Sequence, residues 1–247
     1  MQKNKRLRIF AGPNGSGKST LFDEFKKKYA PGYFINADEL EYQLSTRGFI
    51  DLRLIGIKTT TKDLAFFSKT NEAQSLVTKA QSEGHIIDIE IKDNFIVDKA
   101  KDTHSYEASY TAGFIRWLFY KRNKSFCFET VMSHSSKIDE LKKAKKIGYK
   151  TYLYFVCTDD PEINVSRVAN RIEKGGHAVD VDRIRSRYIN TLNNLYPAIK
   201  VAQRSYLFDN SGKELKLIAE GFEGKLQLKV NTPPQWFIDY VLPHYQL

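Results

Sequence analysis

The sequence predicts an α/β fold of three layers, in which helices cover both faces of a mainly parallel sheet. Short apolar runs that are typical of strands alternate with helical segments along most of the 247 residues. Such alternation favours parallel strands joined by helices. A chain of this length can form one large core or a domain with an insertion. We expect one domain over residues 1–247, with an insertion at about 46–110 and a C-terminal hairpin and helix at about 213–247.

The first elements surround a glycine-rich segment. Residues 7–11 (LRIFA) form an apolar run that predicts a strand, and residues 17–28 favour a helix. A second short strand is expected at 33–36, and a helix is expected to begin at Asp38. The order strand, loop, helix, strand therefore opens the chain.

The later elements continue the alternation. The predicted strands are 125–129, 150–157 and 206–209, and the predicted helices are 136–148, 161–175 and 180–203. Asp160 and Pro161 mark a helix start, and Gly148 and Gly175 mark helix ends. Beyond them, alternating apolar residues predict the hairpin, and we expect Trp236 of the closing helix to pack inward.

The stretch at 46–110 departs from this rhythm. Residues 61–82 favour a helix, and Ile87, Ile89 and Ile91 alternate with charged residues as in a half-exposed strand. We interpret the stretch as an insertion between the second and third sheet strands that covers the substrate side.

Composition limits the class of protein. No apolar run approaches the ~20 residues of a membrane span, and residues 1–15 lack the features of a secretory signal, so we expect a cytoplasmic protein. Cys127 and Cys157 lie in apolar runs, which favours reduced, buried thiols. The net charge of +10 suits a polyanionic partner. Much of that charge lies in lysine runs that a helix would present to solvent, which disfavours nucleic acid.

The most specific motif is GPNGSGKST at residues 12–20, which we call the phosphate loop. It matches G-x-x-x-x-G-K-[ST] between a strand and a helix, as in P-loop NTPases. Its backbone N–H groups can surround phosphate oxygens at the positive end of the following helix. We expect Lys18 to reach the β- and γ-phosphates and Ser19 to complete the coordination of Mg²⁺. The predicted nucleotide contacts are Gly12, Pro13, Asn14, Gly15, Ser16, Gly17, Lys18, Ser19 and Thr20.

A phosphate loop alone leaves a GTPase, a motor and a kinase open. The guanine-reading NKxD pattern of a GTPase is missing, and Asp159–Asp160 reads more simply as a helix cap than as the acidic pair of a motor. A kinase needs an acceptor site. Asp38 follows the second strand and Glu129 ends the strand at 125–129, where ligands of open parallel sheets bind. Asp38 could equally be a helix N-cap.

Five segments together resemble the zeta toxin family of P-loop kinases: GPNGSGKST, FINADE, FCFETVMS, RVANRIEKGGHAVDVDRIRSRY and YLFDNSG. The resemblance covers roughly residues 7–36 and 124–212. It implies a fold similar to that of nucleoside and shikimate kinases. It also implies ATP and Mg²⁺ as cofactors, UDP-N-acetylglucosamine or a similar sugar nucleotide as the small-molecule acceptor, and an antitoxin protein as a partner.

The resemblance also assigns roles to individual residues. It implies that Asp38 is the general base for the acceptor and that Arg171 stabilises the γ-phosphate, beside Lys18. Arg167 is a further candidate for an arginine finger. The implied acceptor contacts are Asp38, Glu129, Thr130, His177 and Arg187, and Asn210 is placed near the adenine. Two rival functions remain at this stage, a polynucleotide or nucleoside kinase and a non-catalytic ATP-binding module.

Overall fold

The computed structural model describes residues 5–100, 103, 105–173 and 179–245. The chain forms two compact units, of which the first comprises Met1–Gly32 and Cys127–Leu247 and the second Tyr33–Phe126. The stretch at 46–110 lies within the second unit. No helix in these described ranges is long and apolar enough to cross a membrane.

The described strands and helices are named in chain order. The strands are β1 (Arg6–Ala11), β2 (Tyr33–Ile35), β3 (Phe49–Asp51), β4 (Ile89–Lys92), β5 (Phe95–Asp98), β6 (Phe126–Thr130), β7 (Lys150–Cys157), β8 (Arg204–Asp209), β9 (Lys216–Phe222) and β10 (Lys225–Leu228). The helices are α1 (Lys18–Lys28), α2 (Ala37–Arg47), α3 (Thr61–Phe67), α4 (Asn71–Ser82), α5 (Ser105–Lys121), α6 (Ser136–Lys146), α7 (Pro161–Glu173), α8 (Val181–Asn193), α9 (Leu195–Val201) and α10 (Gln235–Tyr240), with a 3₁₀ turn at Leu242–His244.

The first unit contains a sheet whose strands follow the order β10-β9-β8-β7-β1-β6. β1 and β7 are parallel, with Ile9 opposite Leu153, and β8 continues the parallel set beside β7. β9 and β10 add the antiparallel hairpin at one side. The predicted α/β fold class with a mostly parallel central sheet is therefore confirmed.

Aromatic side chains form much of the core around β1. Leu7, Ile9 and Phe10 are completely buried, as expected for a parallel strand covered on both faces. Phe10 stacks on Tyr154 of β7 and meets Phe22 of α1 edge to face. These contacts fix the end of β1, and hence the loop that follows it, against α1 and β7.

The second unit has a small antiparallel sheet of its own, in the order β3-β5-β4. A tight turn at Asp93 and Asn94, both with positive φ, joins β4 to β5. Its helical core centres on Phe67 of α3, which packs against Tyr110 and Phe114 of α5.

Two predicted helices are each divided in the structure. The helix expected at 61–82 is α3 and α4, because the hydroxyl of Thr70 accepts from the backbone N–H of Ala73 and starts a new helix. The helix expected at 180–203 is α8 and α9. Pro197 lies in the first turn of α9 and cannot supply the N–H that would continue α8.

Other elements of the second unit do not follow from the sequence pattern. β3, β5 and α5 were not expected, and the strand expected around Ile87 begins only at Ile89. α5 is buried on most sides, so it lacks the apolar stripe that marks a surface helix. β3 and β5 are short, with three and four residues, and short runs carry little periodicity.

Candidate nucleotide-binding site

The phosphate loop connects β1 to α1 in the predicted order of strand, loop and helix. Two glycines are required by its geometry. Gly17 caps α1 with a φ of 103°, and a Cβ there would overlap the amide of Asn210. Gly12 has a φ of 147°, and a Cβ there would overlap the carbonyl oxygen of Val156. The loop backbone is therefore packed against the ends of β7 and β8.

Lys18 and Ser19 begin α1 and share one carboxylate, that of Glu129 at the end of β6. Lys18 is buried, and its Nζ donates to the carbonyl oxygen of Pro13 at 2.8 Å and lies 3.8 Å from Glu129 Oε1. The hydroxyl of Ser19 donates to Glu129 Oε2 at 2.9 Å. The structure thus brings together three predicted site residues at the positive end of α1, where a negative group is favoured.

Several buried polar atoms in and beside the loop have no hydrogen-bond partner among the described residues. They are Asn14 Oδ1, Ser16 Oγ, Asn164 Nδ2 and Arg167 Nη1. Leaving such a group unpaired costs about 1–3 kcal/mol. A bound polyanion would give the donors among these groups, Ser16 Oγ, Asn164 Nδ2 and Arg167 Nη1, an acceptor. The phosphate loop and the polar groups beside it therefore fit the phosphates of a nucleotide.

α7 lies directly against the loop. A Cβ on Gly15 would come within 2.7 Å of the carbonyl oxygen of Asn164. One turn further on, Arg167 Nη2 donates to the carbonyl oxygen of Asn210 at 2.9 Å. Asn210 in turn donates from Nδ2 to the carbonyl oxygen of Ser16 at 2.7 Å. Arg167 is therefore linked to the loop through one residue.

The remaining predicted residues occupy different surroundings. Arg171 lies in the last turn of α7 and is exposed, and Thr20 is exposed in the first turn of α1. Thr130 ends β6, and its hydroxyl accepts from the N–H of Met132 at 3.1 Å. Arg187 is half-buried on α8, where burial and the nearby charge of Arg183 lower its pKa.

Asp38 and His177 complete the set of predicted site residues. Asp38 belongs to the second unit, in the first turn of α2, and its side chain is exposed. The helix N-cap is Asn36, whose Oδ1 accepts from the N–H of Asp38 at 2.9 Å, so Asp38 does not cap the helix. His177 lies outside the described residues.

Mg²⁺ is the metal that the motif implies. In the described ranges no group of three or more His, Cys, Asp or Glu side chains could hold a metal. The Ser19 hydroxyl and the Glu129 carboxylate nevertheless offer the hard oxygen donors that Mg²⁺ prefers, and Mg²⁺ completes its shell with phosphate and water oxygens. These residues therefore fit a cation that arrives with a nucleotide.

Asn164 was not predicted from the sequence as a residue of the site, nor were the residues that form hydrogen bonds at the end of β8. Asn164 is completely buried and its Oδ1 accepts from the hydroxyl of Thr158. Its signal was present, because Asn164 lies four residues before Val168 and shares the buried face of α7. Asp160 does cap α7, accepting from the N–H of Glu162 at 2.8 Å.

The described fold and loop define an α/β protein with the P-loop NTPase fold. No protein-family model matches the chain. An uncharacterized protein of Haemophilus influenzae is 32% identical over 68 residues, which are 28% of this chain and 49% of that protein. The match thus spans about half of that curated relative.

Solved structures share the fold over nearly the whole chain. A chain of the AvrRxo1-ORF1:AvrRxo1-ORF2 complex with sulphate ions has a TM-score of 0.58 at 14% identity, over 99% of this chain and 66% of that one. A chain of the PezAT chromosomal toxin-antitoxin system of Streptococcus pneumoniae has a TM-score of 0.52 at 14% identity, over 99% and 81%. The chain thus spans slightly less than two thirds of the AvrRxo1 chain. The fold that the zeta toxin resemblance implies is confirmed.

Proposed function

We propose that this protein is an ATP- and Mg²⁺-dependent kinase that phosphorylates a hydroxyl of a small acceptor, a sugar nucleotide such as UDP-N-acetylglucosamine. One observation carries the proposal. The buried Lys18 and the adjacent Ser19 face the Glu129 carboxylate at the start of α1, beside a loop with unpaired buried polar atoms. A bare structural turn has no need of a buried lysine and unpaired polar groups.

The phosphate loop would bind the donor. Its N–H groups and Lys18 neutralise the β- and γ-phosphates, and the N-terminus of α1 adds its own positive potential. Mg²⁺ would supply charge neutralisation on the transferring phosphoryl group, held through Ser19. Glu129, which contacts both Lys18 and Ser19, would hold these two side chains at the start of α1, and it is itself a proposed contact of the acceptor.

Arginines on α7 would stabilise the charge that develops on the γ-phosphate. We propose Arg171 for this role, with Arg167 holding Asn210 beside the loop. An arginine finger is worth ~10³–10⁵ in rate. Thr130, His177 and Arg187 are proposed contacts of the acceptor, as the resemblance implies.

Asp38 is the proposed general base. Its carboxylate is exposed at the start of α2. Asn36 supplies the helix N-cap, so the Asp38 carboxylate does not serve that role. A base must be within hydrogen-bond reach of the acceptor hydroxyl and accept its proton as the phosphoryl group transfers. We propose that both units belong to one kinase domain.

The solved structures support two further parts of the proposal. One AvrRxo1-ORF1:-ORF2 structure, with a TM-score of 0.52, contains ATP, which supports ATP as the donor here. The PezAT structure belongs to a toxin-antitoxin system, which supports an antitoxin partner. We propose the cytoplasm as the site of action, where nucleotide sugars are available.

Transfer of labelled phosphate tests the proposal. The protein is incubated with γ-labelled ATP, Mg²⁺ and a bacterial metabolite extract, and the labelled product is identified by mass spectrometry. We expect label on a sugar nucleotide. Label on oligonucleotide 5′ ends would instead identify a polynucleotide kinase, and tight ATP binding without any transfer would identify a non-catalytic module.

The role of Asp38 has its own test. Asp38→Ala should lower acceptor phosphorylation by ~10²–10⁴-fold, because the proton acceptor is lost, and should leave the Kd for MgATP nearly unchanged. Glu39→Gln is the matched control, since Glu39 is also exposed in the first turn of α2 and contacts only Gln43 by a side-chain hydrogen bond within the described ranges. Turnover of Asp38→Ala equal to that of the control would remove Asp38 from the mechanism.

A further inference from the structure

The C-terminal helix α10 is bonded to the ends of two central strands through one residue. The backbone N–H of Trp236 donates to Asp159 Oδ1 at 3.2 Å, just beyond β7. Its indole Nε1 donates to Asp209 Oδ1 at 3.0 Å, at the end of β8. Trp236 is only 2% exposed, and the indole bond to Asp209 is buried, whereas the backbone bond to Asp159 is partly buried. A helix outside the predicted nucleotide motif thus contacts two strand ends at once.

Ser211 closes these contacts into a ring. Its hydroxyl donates to Asp209 Oδ1 at 2.7 Å and accepts from the N–H of Asp159 at 2.8 Å. Its own N–H donates to Asp209 Oδ2 at 3.2 Å. We call Asp159, Asp209, Ser211 and Trp236 the strand-end ring. Every member bonds to at least two others, so the loss of one donor loosens the rest.

Asn210 lies between two members of the ring and reaches the phosphate loop. Its N–H donates to the carbonyl oxygen of Cys157, and its side-chain amide donates to the carbonyl oxygen of Ser16 at 2.7 Å. Its own carbonyl oxygen accepts from Arg167. The adenine position that the resemblance implies for Asn210 remains a proposal, whereas its side-chain contact in the structure is with the loop.

We infer that Trp236 is a positioning residue for the phosphate loop, acting through the strand-end ring and Asn210. The inference rests on the proposed function, because it concerns the ATP site of that function. The ring fixes the backbone on both sides of Asn210, and the Asn210 amide fixes the Ser16 carbonyl. A fixed Ser16 peptide keeps the loop N–H groups pointing into the concavity where phosphates bind.

Trp236→Phe is the direct test, since it removes the indole N–H and keeps an aromatic ring in the core. We expect the Kd for MgATP to rise by up to about fivefold, the limit reached if the whole contribution of the lost hydrogen bond is expressed in binding. The Kd is measured by titration calorimetry well below the melting temperature of each variant. Asn210→Ala should raise the Kd for MgATP at least as much as Trp236→Phe does. The double variant that combines the two substitutions should bind MgATP no more weakly than Asn210→Ala alone, because both residues act along one chain of contacts.

Phe237→Leu is the matched control. Phe237 follows Trp236 in α10 and is 1% exposed, and its side chain can make no hydrogen bond. It should lower the melting temperature and leave the Kd for MgATP within about twofold. Ser211→Ala removes a hydroxyl from the same ring without changing the aromatic core, and it should raise the Kd for MgATP as Trp236→Phe does. It therefore keeps the inference testable if Trp236→Phe folds poorly.

The outcomes separate this inference from the proposed function. Wild-type affinity in both Trp236→Phe and Ser211→Ala overturns the inference alone, as does an equal loss in Phe237→Leu or an additive double variant. If the wild-type protein does not bind MgATP at all, the proposed function and the inference both fail.

Discussion

Two buried polar clusters, one in each unit, use similar residues in opposite ways. In the second unit, Asp63 is the third residue of α3, completes the capping box with the N-cap Thr60, and is satisfied on every side. Its carboxylate accepts from the N–H of Thr60 at 3.1 Å and from Lys121 Nζ at 2.6 Å, and Arg122 lies 3.6 Å away. In the first unit, Lys18 and Glu129 lie 3.8 Å apart beside a loop in which Asn14 Oδ1 and Ser16 Oγ have no partner among the described residues.

The difference separates a cluster that serves folding, the structural cluster, from one that we propose binds a ligand, the binding cluster. In a fully hydrogen-bonded network, contacts within the chain offset the cost of desolvating the buried polar groups, so no ligand is required. A network with unpaired atoms is stable only because the surrounding core holds it, and it gains free energy when a ligand supplies the missing partners. Between Asp63 and the phosphate loop, burial and charge alone do not make the distinction, whereas the hydrogen bonds of each cluster do.

The largest expected effect is the loss of phosphoryl transfer when Lys18 of the binding cluster is substituted. Lys18→Met keeps the apolar stem and removes the ammonium group, so phosphoryl transfer should fall by ~10²–10³-fold or more. The free energy of unfolding should fall by about 1–3 kcal/mol, because the buried Pro13 carbonyl oxygen and Glu129 lose their contact with the ammonium group. Steady-state kinetics and urea denaturation measure the two quantities.

Lys26→Met is its matched control, since Lys26 lies on the same helix and pairs with Asp23 at the surface. It should leave transfer close to that of the wild type. Full activity in Lys18→Met would show that Lys18 serves folding alone.

This contrast also explains what the sequence could predict. The phosphate loop follows from residue types at fixed spacing, because bending a backbone around phosphate requires glycine at Gly12 and Gly17 and a charge at Lys18. Glu129 was predictable as a strand-end carboxylate. In the first unit, strand and helix positions deviate from the prediction by one or two residues, apart from the break at Pro197.

The second unit could not be predicted to the same extent. Its α5 has no polar face, and β3 and β5 pair with each other through contacts distant in sequence. The strand-end ring was missed for a related reason. Trp236 and Asp209 are far apart along the chain, and only the folded sheet brings an indole N–H to that carboxylate.

A smaller effect tests the structural cluster. Asp63→Asn removes the ion pair with Lys121 and weakens the capping box with Thr60, so the free energy of unfolding should fall by about 1–2 kcal/mol. The Kd for MgATP should stay within about twofold of the wild-type value, because the cluster serves folding. Urea denaturation and calorimetry measure these quantities.

Asp88→Asn supplies the matched surface pair, since Asp88 lies 3.4 Å from Lys99 and both side chains are about half exposed. It should change stability by less than ~0.5 kcal/mol. A loss of ATP affinity in Asp63→Asn, absent from Asp88→Asn, would contradict the division into structural and binding clusters.

The smallest expected effect is the pH dependence of the stability that Asp63 contributes. Burial by itself raises the pKa of Asp63, but the hydrogen bonds from Lys121 and the Thr60 N–H outweigh it and lower the pKa below the usual value. Its stabilising contribution is therefore complete above the unfolded-state pKa of ~3.9 and is lost as the pH falls toward the lower folded-state pKa. The stability difference between wild type and Asp63→Asn should narrow below about pH 5, as measured by urea denaturation from about pH 7 to about pH 3. A stability difference for Asp63→Asn that widens in acid would show that the carboxylate is not stabilised by its partners.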